Sequence, residues 1–360
     1  MENLISSQIT TKVYEDIKPI AEERLPWEKL KNSTVFITGA GGFISYYLVL
    51  ALLIRNDLYK DNIKVVGLVR SRERAEKKYK KILERNDFKL VVQDVCSPFS
   101  MDEKADYIIH AASQASAWHY ENDPVGTINA NLTGTINVLE YARSCGAKAT
   151  LMISSLKVYG AVHNGASSLT EDTVGYIDHT SYKNCYAQGK RAAETLCASY
   201  HKQYGMDVKI ARPSYIYGPS SLTDDRVWAQ FIANVVKNQS ILLKSNGGAY
   251  RSFCYVRDTA SALLYILLKG EAMVPYNIAA EHSNITIRGF AREAVKVFPE
   301  KNLTLSFANK EDEVEPDISL FSQTPEILDS KRLEALGWEA KVNLAEGIRT
   351  AALIVEEQNR

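Results

Sequence analysis

The chain has 360 residues, 46% of them apolar, so it is long enough to bury one large core or two connected ones. Lysine and arginine total 43, as do aspartate and glutamate, which excludes the broad positive field of a protein that follows nucleic acid or anionic lipid. We therefore expect a small-molecule partner, and neither a nucleic acid nor a membrane.

The first 32 residues precede the first clear strand, and their apolar spacing predicts a short helix and an arm packed on the body. From residue 33 onward, strand and helix patterns alternate. Strands are predicted at 35–38, 64–69, 89–94, 107–112, 150–155 and 209–214, and helices at 43–55, 72–85, 126–144 and 182–204. This alternation predicts an α/β fold with a doubly wound parallel sheet, the Rossmann arrangement.

The alternation weakens after Pro213, where loop signals appear in GPSS and later in SNGG. We expect a smaller C-terminal substrate-binding lobe there, built from two returns of the chain. The predicted units are an N-terminal arm at 1–32, an NAD(P)-binding domain at 33–212 with 252–280 returning to it, and a lobe at 213–251 and 281–360.

A glycine-rich turn, TGAGGFIS at 38–45, lies between an apolar strand and an apolar helix, as a pyrophosphate-binding turn requires. Gly39 permits the tight turn, and Gly42 lets the backbone approach the phosphates. The free N–H groups at the helix start, around Phe43 and Ile44, face the anion. Ser45 stands where a third glycine is usual. The pattern predicts a dinucleotide cofactor.

The second strand ends in Val69-Arg70-Ser71-Arg72, where many NAD-binding proteins have an acid. A basic residue at Arg70 can accept a 2′-phosphate, so the cofactor is NADP or NAD, with NADP preferred. The alternative is that Arg70 and Arg72 are solvated residues opening a charged helix. Further cofactor contacts are predicted after the third and fourth strands, at Asp94, Val95, Ala111 and Ala112.

Tyr186 and Lys190 stand at i and i+4, so they share one face of a predicted helix. An ammonium group near a phenol favours the phenolate and lowers the tyrosine pKa, which lets the hydroxyl exchange a proton with a carbinol or a carbonyl. Lys190 can also hold the cofactor ribose. The chain has 20 tyrosines, so this spacing gains meaning only with further motifs.

Read in order, the motifs resemble the extended short-chain dehydrogenase/reductase superfamily, in its nucleotide-sugar epimerase/dehydratase branch. The matching pieces are TGAGGFI (38–44), QDV (93–95), HAASQAS (110–116), NLTGTINVLEYAR (131–143), SSLKVYG (154–160), YAQGK (186–190), ARPSYIYGP (211–219) and RSFCYVRD (251–258). The resemblance implies an enzyme that binds a nicotinamide cofactor and a sugar or polyol carried by a nucleoside diphosphate.

The resemblance also implies residue roles. Ser155, Tyr186 and Lys190 are the implied catalytic residues, and Ser155 bonds the reacting oxygen. Arg251 is implied to face the substrate diphosphate, although a surface ion pair is the alternative reading. The remaining implied contacts are Pro213 for the cofactor and Ser113, Ser155, Lys157 and Ser214 for the substrate. A homodimer through the helices at 126–144 and 182–204 is implied as well, with apolar positions Ile136, Val138, Leu139, Leu196 and Tyr200.

The chain departs from the family at the two positions after Ser155. Dehydratases of the branch carry an acid pair there, and UDP-glucuronate decarboxylases carry a glutamate at the second position, but this chain has Leu156 and Lys157. Dehydration is therefore disfavoured and glucuronate decarboxylation is in doubt. We expect keto-reduction, for example of a CDP-linked keto-sugar, and epimerisation through a transient ketone with retained NAD is the alternative.

Some stretches also resemble a subgroup encoded in capsule loci, which predicts a role in cell-surface polysaccharide biosynthesis. A catalytically silent NADP-sensing regulator is the non-enzyme alternative, and retention of Ser155, Tyr186 and Lys190 argues against it. The five cysteines and six histidines show no metal-binding spacing, so no metal is expected. Because neither a disulfide framework nor a targeting signal is visible, we expect a cytoplasmic protein.

Overall fold

Seven parallel strands form the central sheet in the computed structural model, which describes residues 4–99, 103–162, 167–315 and 326–359. The strands are β1 (Thr34–Thr38), β2 (Lys64–Val69), β3 (Phe88–Val92), β4 (Tyr107–His110), β5 (Ala149–Ile153), β6 (Val208–Pro213) and, later in the chain, β10 (Pro275–Ile278). Their order is β3-β2-β1-β4-β5-β6-β10. This order confirms the doubly wound α/β fold, and its direction reverses between β1 and β4, where such sheets bind ligands.

Helices cover both faces of this sheet, and the strands are buried accordingly, β5 at every position. The helices are α1 (Thr11–Ala21), α2 (Phe43–Tyr59), α3 (Arg72–Tyr79), α4 (Ala117–Asn122), α5 (Pro124–Cys145), α6 (Cys185–Tyr204), α7 (Val227–Val236), α8 (Val256–Lys269), α9 (Ile287–Lys296), α10 (Lys331–Glu334) and α11 (Leu344–Gln358). The most apolar stretch of the sequence belongs to α2, which lies between the sheet and other helices and is buried without a break from Tyr47 to Ile54.

Two predicted helices are shorter than expected. The helix predicted at 72–85 ends at Tyr79, and a 3-10 turn follows after Lys80, whose φ is +36°. This break lets the Tyr79 ring enter the core beside Phe88, with ring centroids 4.8 Å apart. The helix predicted at 182–204 begins at Cys185 and is preceded by a 3-10 turn.

The N-terminal arm contains the predicted short helix, α1, which packs on α2, α8 and α11. Its buried Asp16 carboxylate accepts hydrogen bonds from the hydroxyls of Tyr47 at 2.6 Å and Tyr255 at 2.9 Å, and pairs with Arg257 at 3.3 Å. Burial raises the pKa of Asp16, and the three partners act in the opposite direction. One carboxylate thus ties the arm to two helices of the body.

Two small sheets carry the rest of the chain. One has the order β11-β9-β7, with β7 (Tyr215–Tyr217), β9 (Tyr250–Tyr255) and β11 (Asn284–Thr286). The other pairs β8 (Ile241–Leu243) with β12 (Leu305–Phe307). Strand β10 follows β9 in the chain but belongs to the main sheet, where it pairs with β6. The domain limits drawn from the sequence remain a prediction.

Helices α5 and α6 pack along each other on one side of the sheet. Val138 and Leu139 are each 1% exposed and lie in the core of the chain itself. Ile136 is 39% exposed, so it belongs to the outer surface of this helix pair. Over the described ranges, no helix is both long and apolar enough to cross a bilayer.

Candidate active site

The glycine-rich turn follows β1 and leads directly into α2. Gly39 has a φ of +65°, and a Cβ there would lie 2.8 Å from Cα of Ala112, so only glycine fits. A Cβ on Gly42 would lie 2.9 Å from the carbonyl oxygen of Gly39. No side chain caps the start of α2 at Gly42. The first N–H groups of α2 are therefore left for an anion, which fits a dinucleotide pyrophosphate.

Two residues of α3 hold the outer side of this turn, and sequence reasoning missed both. Nζ of Lys78 donates to the carbonyl oxygens of Gly41 and Gly42, each at 3.0 Å, and Oη of Tyr79 donates to that of Ala40 at 2.7 Å. Burial lowers the pKa of Lys78 to about 8. Within the sequence KKYKK these residues resembled a solvated charged face, so nothing in the pattern distinguished them.

A groove of about 770 Å³ runs from this turn across the carboxyl ends of the strands. It is lined by most of the residues predicted to contact the cofactor or the substrate there: Gly39, Gly42, Arg70, Asp94, Val95, Ala111, Ala112 and Ser113. Phe43 and Ile44 form the first turn of α2, and the Phe43 ring packs on Trp228, so these two can offer the groove only their backbone. The prediction that these residues contact the cofactor is consistent with their position along one groove.

Three arginines near the end of β2 face different ways. Arg70 and Arg74 line the groove, whereas Arg72 forms an exposed ion pair with Glu76 at 3.2 Å. Arg70 is itself exposed, and its contact with a 2′-phosphate remains a prediction. Asp94 lies in the same groove, and its Oδ1 accepts a hydrogen bond from the backbone N–H of Cys96 at 2.8 Å.

A buried histidine organises the segment after β4. His110 lies between the hydroxyls of Thr38, at 2.8 Å, and Thr135, at 3.1 Å. Burial lowers its pKa to about 3, so the ring stays neutral. The Thr38 hydroxyl also accepts hydrogen bonds from the backbone N–H groups of Ala111 and Ala112. This network places Ala112 against Gly39 and makes His110 a structural residue.

Ser155 and Tyr186 meet at the carboxyl end of β5. Burial raises the pKa of Tyr186, while its hydrogen bond with Ser155 and the charge of Lys157 act to lower it. The Tyr186 ring stacks on that of Tyr120, with centroids 5.1 Å apart. The structure thus brings the hydroxyls of Ser155 and Tyr186 together in a water-poor place, with one cation nearby.

Lys190 lies on the same face of α6 as Tyr186 and is buried. Its Nζ donates to the carbonyl oxygen of Ile153 at 2.8 Å and lies 5.8 Å from the Tyr186 ring centroid. Burial lowers the pKa of Lys190 to about 8. The charge of Lys157 acts to lower the Tyr186 pKa, and the effect of Lys190 on that pKa remains a prediction. The predicted ribose contact of Lys190 remains a prediction.

The predicted substrate residues Lys157 and Arg251 share an acidic partner that we did not foresee, Glu326. Oε1 of Glu326 lies 2.5 Å from Nζ of Lys157, and Oε2 forms an ion pair with Arg251. Oη of Tyr215 donates to Oε2 at 2.8 Å. Ser214, also predicted to contact the substrate, has a buried hydroxyl that finds no hydrogen-bond partner within the described part of the chain, and Pro213 is buried at the end of β6.

Helix α6 and the groove are both in contact with Asn131 of α5. Oγ of Ser113, in the groove, donates to Oδ1 of Asn131 at 2.9 Å. Gly189, between Tyr186 and Lys190, packs so closely that a Cβ would lie 3.0 Å from that of Asn131. The hydroxyls of Ser155 and Tyr186 therefore lie beside the groove. Among the described residues, no group of three or more His, Cys, Asp or Glu side chains could hold a metal ion.

The model of the NAD dependent epimerase/dehydratase family matches residues 35–279, which include the glycine-rich turn, the residues that line the groove, Ser155 and Tyr186. The chain belongs to this family. It is therefore a nucleotide-sugar enzyme of the extended short-chain dehydrogenase/reductase type, as the motifs predicted, and the family is an NAD-dependent one. The preference for NADP remains a prediction. Membership in this family does not determine whether an enzyme is an epimerase, a dehydratase or a decarboxylase.

One similar protein is UDP-glucuronic acid decarboxylase 6 of Arabidopsis thaliana, 33% identical over 324 residues, which cover 88% of this chain and 87% of that one. We had placed this activity among the less favoured alternatives. Two solved structures share the fold: UDP-glucuronic acid 4-epimerase from Bacillus cereus with UDP-glucuronic acid and NAD (TM-score 0.72, 20% identity, 90% of this chain and 99% of that one) and RMD from Pseudomonas aeruginosa with NADPH (TM-score 0.68, 24% identity, 91% and 99%).

Proposed function

We propose that this enzyme reduces a keto group on a sugar linked to a nucleoside diphosphate, with NADP or NAD as cofactor. The observation that carries the proposal is the meeting of Ser155 and Tyr186 beside the groove, without a carboxylate in the turn that follows Ser155. The bound cofactor supplies the hydride. A CDP-linked keto-sugar of the kind used in cell-surface polysaccharides is one candidate substrate.

Each residue has one task in this proposal. Oη of Tyr186 donates a proton to the oxygen of the carbonyl as it becomes a hydroxyl, and the Ser155 hydroxyl holds the same oxygen. Lys190, one turn further along the same face of α6, orients the ribose. Gly39, Gly42 and the start of α2 hold the pyrophosphate, and Arg70 receives the 2′-phosphate of NADP.

The surroundings of Ser155 favour reduction over dehydration. Leu156 is 5% exposed and packs in an apolar cluster, so it offers no proton. Glu326 has a pKa below its usual range because Lys157 and Arg251 stabilise its charge, so it is ionised and cannot protonate a leaving hydroxyl. Neither Leu156 nor Glu326 can therefore supply the proton that elimination of water requires. Epimerisation through a transient ketone needs only Tyr186 and remains the closest alternative.

UDP-glucuronate decarboxylation is a second candidate, favoured by the names of the similar proteins. It predicts release of carbon dioxide and formation of a UDP-pentose from UDP-glucuronate and NAD. Mass spectrometry of the nucleotide sugars, after incubation with UDP-glucuronate or with a nucleotide-linked 4-keto-sugar and NADPH, separates the two reactions.

Replacing Tyr186 with phenylalanine tests the proton transfer. Tyr186→Phe removes one hydroxyl from a buried ring, so the fold and cofactor binding should survive while kcat falls by roughly 100-fold to 10,000-fold. Tyr204→Phe, which removes an exposed hydroxyl from the same helix, is the matched control. Steady-state kinetics and fluorescence titration with NADPH measure the two effects. A Tyr186→Phe enzyme with near-native kcat would contradict the proposal.

A further inference from the structure

Three successive turns of α6 each contact the chain at the carboxyl end of β5. The contacts pair Tyr186 with Ser155, Lys190 with Ile153, and Glu194 with Ser154. Glu194 lies one turn beyond Lys190 on the same face of the helix, but it has no role in the proton transfer described so far. Because Ser154 directly precedes Ser155, this third contact joins the helix that carries Tyr186 to the strand end that carries Ser155.

Side chains at the ends of two strands hold the Glu194 carboxylate. Oγ of Ser154 donates to Oε1 at 2.5 Å, and the guanidinium of Arg212, in β6, donates to Oε1 at 3.0 Å and to Oε2 at 2.7 Å. Arg212 is itself fixed, because its Nη1 donates to Oη of Tyr159 at 3.1 Å and to the carbonyl oxygen of Glu171 at 2.8 Å. An ion pair with two hydrogen bonds sets the direction of a carboxylate as well as its position. The Glu194 carboxylate therefore has one fixed place beside the end of β5.

Lys190 needs a counter-charge, because it is 2% exposed and burial lowers its pKa to about 8. The charge of Glu194 acts to raise that pKa. Two further titratable groups near Lys190 are neutral, since burial raises the pKa of the Cys197 thiol to about 12 and lowers that of His110 to about 3. Burial also raises the pKa of Tyr186, so its hydroxyl is neutral before it reacts. In the proposed transfer, a charged lysine here stabilises the phenolate that forms as the hydroxyl gives up its proton.

We propose that Glu194 is a positioning residue for the proton transfer, which aligns α6 with the end of β5 and supplies the counter-charge that keeps Lys190 protonated. The inference rests on the proposed function, because it adds a residue to the same site. Glu194 acts on the reacting oxygen through Ser154 and Lys190. An ion pair between Glu194 and Arg212 without this role would stabilise the fold alone, and the two cases differ in what they predict for Lys190.

The test removes the two ends of the ion pair separately. Glu194→Gln removes the charge near Lys190 and leaves Arg212 unpaired, and both changes disfavour a protonated lysine. The amide oxygen can still accept the hydrogen bond from Ser154. We expect the pKa of Lys190 to fall by about one pH unit or more. Arg212→Gln is the matched control, because it breaks the same ion pair but leaves the Glu194 charge in place. In that variant the Lys190 pKa should stay at or above the native value.

NMR titration of the enzyme with isotope-labelled lysine side chains, saturated with NADPH, measures this pKa, and the Lys190 signal is the one missing from Lys190→Met. Thermal unfolding shows which variants are folded. If the unpaired Arg212 unfolds Glu194→Gln, the double variant with Arg212→Gln leaves no charge of the pair unpaired, and its Lys190 pKa should still lie below the native one. With a nucleotide-linked 4-keto-sugar and NADPH, the alkaline limb of kcat/KM should move to lower pH together with the Lys190 pKa.

Three outcomes overturn the role of Glu194 and leave the proposed function standing. They are a native Lys190 pKa in Glu194→Gln, equal decreases in Glu194→Gln and Arg212→Gln, and a lowered Lys190 pKa with an unmoved kcat/KM profile. A native enzyme that reduces no keto-sugar contradicts the proposed function instead. The NMR comparison needs no substrate, so it still decides whether Glu194 keeps Lys190 protonated.

Discussion

The choice of cofactor depends on single arginine side chains at the end of β2. Arg70 and Arg74 line the groove, and Arg72 points to Glu76 and solvent. We expect Arg70→Ala to weaken NADPH binding by about 1 to 3 kcal/mol, the size of one charge-assisted contact, and to leave NADH binding nearly unchanged.

Arg72→Ala is the natural control, since it removes the same charge two residues away and should affect neither cofactor. Isothermal titration with both cofactors measures the effect. Equal losses of NADPH and NADH in Arg70→Ala would mean that the side chain supports the fold and not a 2′-phosphate.

At the scale of single residues, the sequence indicates which glycines the backbone requires more readily than which charged side chains support a site. Gly39 is recognisable because its positive φ and its close neighbours exclude a side chain, and Gly42 because a Cβ would lie too close to the Gly39 carbonyl oxygen. Glu326 could not be predicted, because it lies 171 residues after Ser155 and reaches the site through a bridge to Arg251. Lys78 was equally hidden, since a lysine that supports a turn and a lysine in solvent have the same local sequence.

Strands and helices with strong periodicity were predicted to within a few residues, and deviations arose where tertiary contacts override local preference. The helix after β2 ends early because the Tyr79 ring packs against Phe88 and its hydroxyl bonds Ala40. The small sheets were not predicted strand by strand, because β8, β11 and β12 have only three residues each and show no period of their own.

Asp258, in the first turn of α8, connects this helix to the chain before α11. Its Oδ2 accepts hydrogen bonds from the backbone N–H groups of Lys341 at 3.0 Å and Val342 at 2.8 Å, and burial raises its pKa to about 6. Because the folded pKa exceeds the unfolded value, the stability that Asp258 contributes is present below about pH 4 and is lost as the pH rises through about 6.

An asparagine can accept the same two hydrogen bonds without the charge. We expect Asp258→Asn to remove this loss and to raise the free energy of unfolding at pH 7 by about 1 to 3 kcal/mol relative to the native chain. Urea unfolding at pH 4 and pH 7 measures the difference. Asp106→Asn is the contrasting control, because hydrogen bonds to Thr34 and Lys148 lower the Asp106 pKa and its stability is lost as the pH falls. A constant difference between Asp258→Asn and the native chain across this pH range would disprove the account.

For the whole molecule, the outer surface of α5 and α6 is where we expect a second copy to bind. Ile136 is 39% exposed there, while Val138 and Leu139 are buried in the core of the same chain. We expect the native enzyme to sediment as a dimer at micromolar concentration and Ile136→Glu to sediment as a monomer, because the interface would bury an unpaired charge.

The control Leu242→Glu places the same charge on an exposed strand residue of a small sheet and should leave the dimer intact. A native enzyme that sediments as a monomer would refute the predicted assembly. The sequence could predict which helices have an apolar outer surface, but not which residues form it. Periodicity shows which positions of a helix are apolar, and it does not show which of these positions are buried in the core of the same chain.

The late return of β10 to the main sheet has a consequence for synthesis on the ribosome. Strand β6 ends at Pro213, and its outer partner begins only at Pro275, about 60 residues later. At about 5 to 20 residues per second, translation of that interval takes roughly 3 to 12 seconds. For that time β6 is an open strand edge on the nascent chain, with unpaired N–H and C=O groups that other chains can pair with. The interval between these two strands is therefore the stage of translation at which we expect this edge to be most open to pairing with other chains.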